Sequence, residues 1–592
     1  MKDFFKYMAA TVVGILVFTV VVGVIGAMSI VGMIASESSA KDVSDNTVMV
    51  LDLSGSLEER AEESVKDQIL GGTGISAMGL DDVLSAIKKA KANDKIKGIY
   101  IEAGMLSSDS YASLQAIRNA LLDFKKNGKW IIAYGDVYTQ GTYYVASVAD
   151  KVFLNPSGQV DWHGLAAQPM FYKDLMAKFG VKMQLAKVGT YKSMPEMYTA
   201  DKMSDANREQ VTAYINGIWE NICKGVSESR KISVADLNRY ADDFISLNDP
   251  KDFVKFKFVD KLIYTDEIKA EINKMLKEDA DASINTVNIA GMKSVKSEKS
   301  EGEEIAVYYA YGSIVDSEAS GVMSQEHNIV GNKVCKDLKN LMEDDNVKAV
   351  VLRINSGGGS AYASEQMWRY IELLKKKKPV VVSMGGMAAS GGYYISSGAN
   401  WIVAEPTTLT GSIGIFGMFP DVSELLTQKL GVKFDEVKTN KHSGFWGTMS
   451  RPFTEEEMAY LERYIERGYD LFRSRVAQGR RMSVEAVEKI AQGHVWLGQD
   501  ALKIKLVDEL GGLDKAVAKA AELAKLKEYH TASYPGKADW MDQLMNTVSG
   551  DSYIDSKMRE TFGEYYEPLM FLKTLNTQNA IQARIPFDIN VK

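Results

Sequence analysis

The chain repeats itself, and this restricts its fold more than any other feature of the sequence. GTYYVAS at Gly141 matches GGYYISS at Gly391, 250 residues further on, and the strand-like runs IIAY at Ile131 and VVVS at Val380 precede them. Much the same spacing relates DKIKGIYIE at Asp94 to DNVKAVVLR at Asp345, KISVADL at Lys231 to RMSVEAV at Arg481, and FVDKL at Phe258 to LVDEL at Leu506. At 592 residues the chain is too long for one hydrophobic core, and two copies of one domain divide it. Within each copy, strand runs alternate with helical periodicity, as in Leu80–Lys91 followed by Ile96–Ile101, which predicts an α/β fold of repeated βαβ units. The polar stretch 294–304, SVKSEKSEGEE, lacks apolar periodicity and reads as a linker. The expected organisation is an N-terminal segment 1–40, a first repeat 41–293, the linker, a second repeat 305–535, and a C-terminal extension 536–592.

Tyr7 to Ser36 is free of charge and rich in Val, Ile, Gly, Ala and Met, while about twenty apolar residues suffice to cross a bilayer as a helix. A cleaved signal peptide has a shorter apolar core, so this run predicts a retained transmembrane anchor. Lys2 and Lys6 precede it, which places the N-terminus in the cytoplasm and everything after Lys41 across the membrane, in a bacterium on the periplasmic or outer side. A net charge of −8 argues against nucleic acid as the main partner. Cys223 and Cys335 show neither metal spacing nor a disulfide framework and are expected to be buried thiols; no cofactor or metal motif is present.

The two copies diverge where chemistry would lie. In VVVSMGGMAASGGYYISSGAN, Val380 to Asn400, a buried strand breaks at two glycines and offers Ser390 ahead of Gly391 and Gly392. Such a strand-to-helix turn exposes a nucleophile, lets a carbonyl approach the backbone and aims helix N–H groups at a developing oxyanion. The motif alone would also fit a tightly packed small-residue turn. A second strand-end glycine turn, AVVLRINSGGGS from Ala349, precedes it by one helical stretch, Ser364–Lys375, and a parallel crossover would bring the two side by side. In the first copy Gln140 stands at the position of Ser390, and the region Gly104–Ser107 has no glycine run. Only the second copy can therefore carry the nucleophile.

A serine nucleophile needs a base, and no histidine falls between Tyr393 and Lys441. A neutral lysine can substitute if desolvation lowers its pKa from about 10.4. The sequence pattern does not by itself select which lysine, and His442, which falls at the repeat offset from Lys192, competes as a histidine base.

RINSGGGSAYASE at Arg353, SMGGMAASGGYYIS at Ser383, LTGSIGIFG at Leu409 and VWLGQDALKIKLVDELGG at Val495, with AKVGTYKSMPE at Ala186, closely resemble the signal peptide peptidase A family of the long, two-repeat type. The resemblance covers essentially the whole chain. It implies two tandem repeats of the Clp protease and crotonase fold behind one transmembrane helix, and a serine protease with a Ser/Lys dyad split between the repeats. Matched position by position, Ser390 is the nucleophile, Lys192 the general base, Ser412 the serine that orients the lysine, and Gly358 with the Gly391 N–H the oxyanion donors. Gly357 departs from the family, which usually has proline there. The resemblance further implies a homotetramer at the inner membrane that degrades signal peptides and other apolar peptides. A crotonase-like acyl-CoA enzyme and a catalytically inactive membrane scaffold of the same fold are the alternatives. An anchored domain outside the cytoplasm would not meet CoA, which speaks against the first.

Overall fold

A computed structural model describes residues 43–61, 77–295, 302–317, 327–537 and 581–584. In the first repeat β1 (Thr47–Glu58), β2 (Ile96–Ser108), β3 (Trp130–Tyr138) and β4 (Lys151–Val160) lie side by side in parallel. Their connections contain α1 (Leu80–Ala92), α2 (Tyr111–Lys125) and α3 (Gln140–Ala146), followed by β5 (Lys182–Lys187) and the long α4 (Asp205–Arg230). The second repeat opens with β6 (Glu303–Tyr311), β7 (Ser313–Val315), β8 (Asn328–Val330) and α5 (Gly331–Glu343). It continues through β9 (Val347–Ser356), β10 (Gly358–Ser360), α6 (Ala361–Lys375), β11 (Val380–Ala389), α7 (Gly391–Ser396), β12 (Leu409–Gly411), β13 (Phe416–Asp421) and α8 (Glu455–Arg480). The last strands are β14 (Val495–Leu497), β15 (Tyr529–Tyr534) and β16 (Ile581–Arg584).

The second repeat builds its main sheet in the order β15-β6-β9-β11-β12-β14, parallel except for the last pair. Nearly every residue of β9 and β11 is buried, because helices and loops cover both faces; this is why they read as continuous apolar runs rather than alternating ones. α6 starts at Ser360, whose hydroxyl accepts from the Ala363 N–H and satisfies one orphan donor of the first turn. Glu303 and Glu304, placed in the linker by their polarity, already belong to β6 and pair with Tyr529 and His530. Backbone pairing asks nothing of side chains at the wet end of a strand.

The repetition extends to detail. α4 and α8 each run for 26 residues and each ends on a left-handed residue, Lys231 at φ 58° and Arg481 at φ 54°. The Tyr143 hydroxyl donates to the Phe258 carbonyl at 2.8 Å, and that of Tyr393 to Leu506 at 2.9 Å. Arg230 pairs with Asp260, and Arg480 with Asp508.

The copies part at the glycine turn. β2 runs unbroken to Ser108, whereas its counterpart stops at Ser356 and turns through Gly358, at φ 103°, into β10. β10 joins a separate sheet of order β8-β7-β10-β16-β13-β5. That sheet belongs to neither repeat alone, since β5 of the first pairs antiparallel with β13 of the second over six residues, Lys182–Lys187 against Phe416–Asp421. A buried ion pair also joins the repeats. The Arg353 guanidinium on β9 donates to Glu59 at 2.6 and 3.3 Å, both side chains at most 5% exposed. Both cysteines are free and buried, and burial pushes the Cys223 thiol up to about 12 and that of Cys335 to about 11. Among the described residues no helix is long and apolar enough to cross a membrane; the apolar run Tyr7–Ser36 lies outside them.

Candidate active site

β11 delivers Ser390 to the turn before α7, with its backbone at φ 54°, ψ −114°. A non-glycine residue holds such a conformation at a cost of about 1–3 kcal/mol, and only where its surroundings over-determine it. Here the Ser390 N–H donates to the Gly411 carbonyl at 2.8 Å, and the Ser390 carbonyl accepts from Tyr394 N at 2.8 Å. Ser412, one residue beyond β12, also has positive φ, 49°, and its N–H donates to the His494 carbonyl at 2.7 Å.

Lys192 reaches this serine from the other repeat. Its Nζ lies 2.7 Å from Ser390 Oγ, 3.1 Å from Ser412 Oγ and 3.1 Å from the Ser412 carbonyl. Lys192 is 1% exposed, Ser412 1% and Ser390 not at all. No carboxylate of the described residues forms an ion pair with Lys192, and burial alone holds its pKa well below the ordinary 10.5. A neutral amine has two N–H donors and one lone pair. Donating to the two Ser412 oxygens leaves the lone pair to accept the Ser390 hydroxyl proton, so three contacts match three valences.

What holds the lysine loop was not legible in the sequence. Tyr191 N donates to the Gln492 carbonyl at 2.8 Å and Thr190 N to Gln492 Oε1 at 3.1 Å. Gln210 on α4 donates to the Tyr191 carbonyl and to Ser193 Oγ, and accepts from Val495 N at 3.1 Å. The segment Gln492–His494 is thus clasped by the Lys192 loop on one side, and on the other Gly493 N donates to Ile413 and His494 accepts from Ser412. The motif beginning at Val495 starts just past these residues, and adjacency to it was the only signal available.

Gly493 makes the clasp possible. At φ 79°, a methyl group there would lie 2.6–2.7 Å from Lys192 N, Cα and Cβ. Gly493→Ala is therefore expected to displace the lysine and lower kcat by about 100-fold, since an error of one ångström in a reacting group costs on that order. Steady-state kinetics on the folded variant checks this; an unchanged kcat would show that the clasp does not set the position of Lys192.

The remaining sequence candidates fall as follows. Gly391 opens α7, so its N–H has no acceptor within the helix. The Gly358 N–H donates to Ser356 Oγ at 3.1 Å, and a methyl at Gly358 would lie 2.8 Å from Gly391 N, so the two glycines face each other closely. His442 lies on a polar surface loop with Glu456 at 3.7 Å and Tyr460 edge-on, and it makes no contact with Ser390. His494 is near the lysine loop, but its ring stacks on Trp496 and lies tilted against Tyr191, and its Nδ1 lies 2.9 Å from the Val495 carbonyl. In the first copy the position of Ser390 is filled by buried Gln140, which donates to Tyr111 and Gly164 and accepts from the N–H groups of His163 and Gly164. A fully bonded amide leaves nothing to react. Among the described residues no cluster of His, Cys, Asp and Glu could hold a metal ion.

A buried serine on a strand-to-helix turn, touching a desolvated lysine on a scaffold of parallel α/β repeats, defines a serine hydrolase. The sequence pattern of peptidase family S49 matches residues 123–279 and again 372–527, and that of Clp protease matches 301–403. "Protease 4" of Salmonella typhi is 37% identical over 90% of this chain and 87% of its own length, and "Protease 4" of Haemophilus influenzae 32% over 85% and 84%. "Serine protease SPPA, chloroplastic" of Arabidopsis thaliana is 30% identical over 76% of this chain and 66% of its own. The chain belongs to peptidase family S49, with two tandem S49 repeats, and is a serine protease.

Proposed function

We propose that this chain is a membrane-anchored endopeptidase that uses Ser390 and Lys192 to degrade signal peptides left in the bilayer after secretory proteins are processed. The observation that carries the reading is the 2.7 Å approach of a buried lysine, with no carboxylate partner among the described residues, to a buried serine. Lys192 takes the Ser390 proton as Oγ attacks the scissile carbonyl; the tetrahedral oxyanion is held by the Gly391 N–H and by the Gly358 N–H, which must first leave Ser356 Oγ. Lys192 then returns the proton to the departing amine, and water admitted to the site hydrolyses the acyl-enzyme by the same exchange. Ser412 holds the amine so that its lone pair faces Ser390. Removing one oxyanion donor typically costs about 2.7–4 kcal/mol of barrier.

The anchor is read from Tyr7–Ser36, which would keep the repeats on the periplasmic face of the inner membrane, where spent signal peptides are released. The homotetramer belongs to the same reading and rests on the family resemblance. Labelling with a fluorophosphonate tests the nucleophile: it is expected in the wild type and absent in Ser390→Ala, whereas an inactive scaffold would not label at all. Vesicles carrying a cleaved signal peptide test the substrate, and survival of the peptide in the presence of labelled enzyme would count against that part.

The pH dependence follows from the lysine. Only the neutral amine is a base, so kcat/KM is expected to rise with pH and level off above the lowered pKa of Lys192, below 10.5. Stability has the same origin. Between the lowered folded pKa and 10.5 the unfolded chain binds one more proton than the folded one, so the Lys192 contribution to stability rises with pH through that window. Lys192→Met is therefore expected to be inactive yet more stable than wild type at neutral pH, with the gap narrowing toward pH 10.5. Thermal unfolding at several pH values would show it; a gap that widens with pH contradicts the assignment.

A further inference from the structure

Gln492 holds the lysine loop with its carbonyl and Oε1, which accept from Tyr191 N and Thr190 N, while its two donors face α8 and the helix that follows it. Its backbone N–H donates to the Tyr469 hydroxyl at 3.1 Å, and its Nε2 donates to Glu488, the last residue of the short helix Val484–Glu488. The Tyr469 hydroxyl donates in turn to Glu488 Oε2 at 2.8 Å, and Arg473, one turn further along α8, donates to the same oxygen at 2.7 Å. Tyr469 is 3% exposed, and burial followed by the bond to Glu488 raises its pKa, so the proton it donates stays in place. Gln492 has φ 57°. A residue other than glycine keeps that conformation only where its surroundings over-determine it.

The first repeat shows the same corner where there is no dyad to hold. At the offset of 250, Trp219 stands for Tyr469, Cys223 for Arg473, Asn238 for Glu488 and Asp242 for Gln492. The contact between the two helices is kept, with Trp219 Nε1 donating to Asn238 Oδ1 at 2.8 Å. An indole N–H only donates, so it cannot also take a backbone N–H as a hydroxyl does. The second helix there runs on to Asp242, whereas its counterpart stops a turn earlier at Glu488. Of the two copies, the one that carries Ser390 is the one with the accepting hydroxyl, the carboxylate and the arginine.

We propose that Tyr469 is a positioning residue of the dyad: oriented by Glu488, its hydroxyl fixes the turn at Gln492 and, through it, the distance of Lys192 from Ser390. The proposal rests on the reading of Lys192 as the base. The path is short, because Gln492 accepts from Thr190 and Tyr191, the two residues just before Lys192, and Gly493 lies against the Lys192 backbone. Without the hydroxyl the Gln492 N–H loses its acceptor, and the left-handed turn relaxes together with the loop that hangs from it.

Tyr469→Phe keeps the ring and removes only the hydroxyl. Steady-state kinetics with an apolar peptide is expected to show kcat lower by about 10-fold and KM unchanged, because the amine is displaced and the peptide cleft is not. Glu488→Ala, at a side chain 30% exposed, releases the hydroxyl from its carboxylate and is expected to act in the same direction. Asn238→Ala removes the corresponding bond in the first repeat and is expected to leave kcat as it is. In a Lys192→Ala background Tyr469→Phe is expected to add no further loss to the residual rate, since no amine remains to be placed. An unchanged kcat in Tyr469→Phe or Glu488→Ala, an equal loss in Asn238→Ala, or a further loss in the Lys192→Ala background would overturn the inference and leave the dyad intact, provided Lys192→Ala is itself inactive. An active Lys192→Ala enzyme would instead sink the reading of the base, and this inference with it.

Discussion

Lys192→Ala is expected to reduce peptide hydrolysis by on the order of 10⁴- to 10⁶-fold, the loss seen when one member of a catalytic unit is removed. Ser390→Ala should fall in the same range, and the double variant should be little worse than either single one, because the serine is useful only with its base and the base only with its serine. His442→Ala is expected to keep most of the activity. At the repeat offset His442 corresponds to Lys192, and histidine is the commoner partner of a serine nucleophile. Yet its contacts are with Glu456 and Tyr460, on a surface loop, while Nζ of Lys192 is 2.7 Å from Ser390 Oγ. Single-turnover kinetics with an apolar peptide ester would rank the four variants. A sound Lys192→Ala enzyme beside a dead His442→Ala enzyme would reverse the assignment of the base.

The second large effect is expected on stability. Glu59→Ala strips the only carboxylate among the described residues that pairs with Arg353, and the arginine, 4% exposed, cannot turn its guanidinium to solvent. Breaking a buried pair by removing one partner costs about 3–5 kcal/mol, because the charge left behind is uncompensated. Glu59 also accepts from Asn355, so three hydrogen bonds between the repeats end on one carboxylate, and Asn355 adds a further link by donating to Asp109 at 2.7 Å. Denaturant unfolding should therefore show the loss, and it should be smaller in Glu59→Ala combined with Arg353→Met, which removes the stranded charge. If the double variant is as unstable as the sum of the single ones, the pair is not coupled and the repeats are held together by other contacts. Because β9 leads directly into the glycine turn at Gly358, weakening this pair should also lower activity in the folded fraction.

The sequence alone determined the repeat and the α/β class, and it singled out Ser390 as the candidate nucleophile. Each of these is written in local pattern: apolar runs alternating with helical periodicity, and a glycine-flanked serine present in one copy and replaced by glutamine in the other. Residue types alone did not select the proposed base. Lysines are numerous, and what distinguishes Lys192 is the loss of water around it, a property of everything packed against it rather than of its neighbours in the chain; only resemblance to known motifs singled it out. Tertiary structure decided the rest. It brought residues 198 apart in sequence to hydrogen-bonding distance by pairing β5 of one repeat with β13 of the other, a long-range antiparallel register that leaves no periodic trace. It placed Gln492 and Gly493 under the lysine loop, where a missing side chain matters because of what approaches it. It also returned residues 581–584, which composition assigns to an extension, to the sheet beside Ser390, because strand pairing is made by backbone groups that every sequence carries alike.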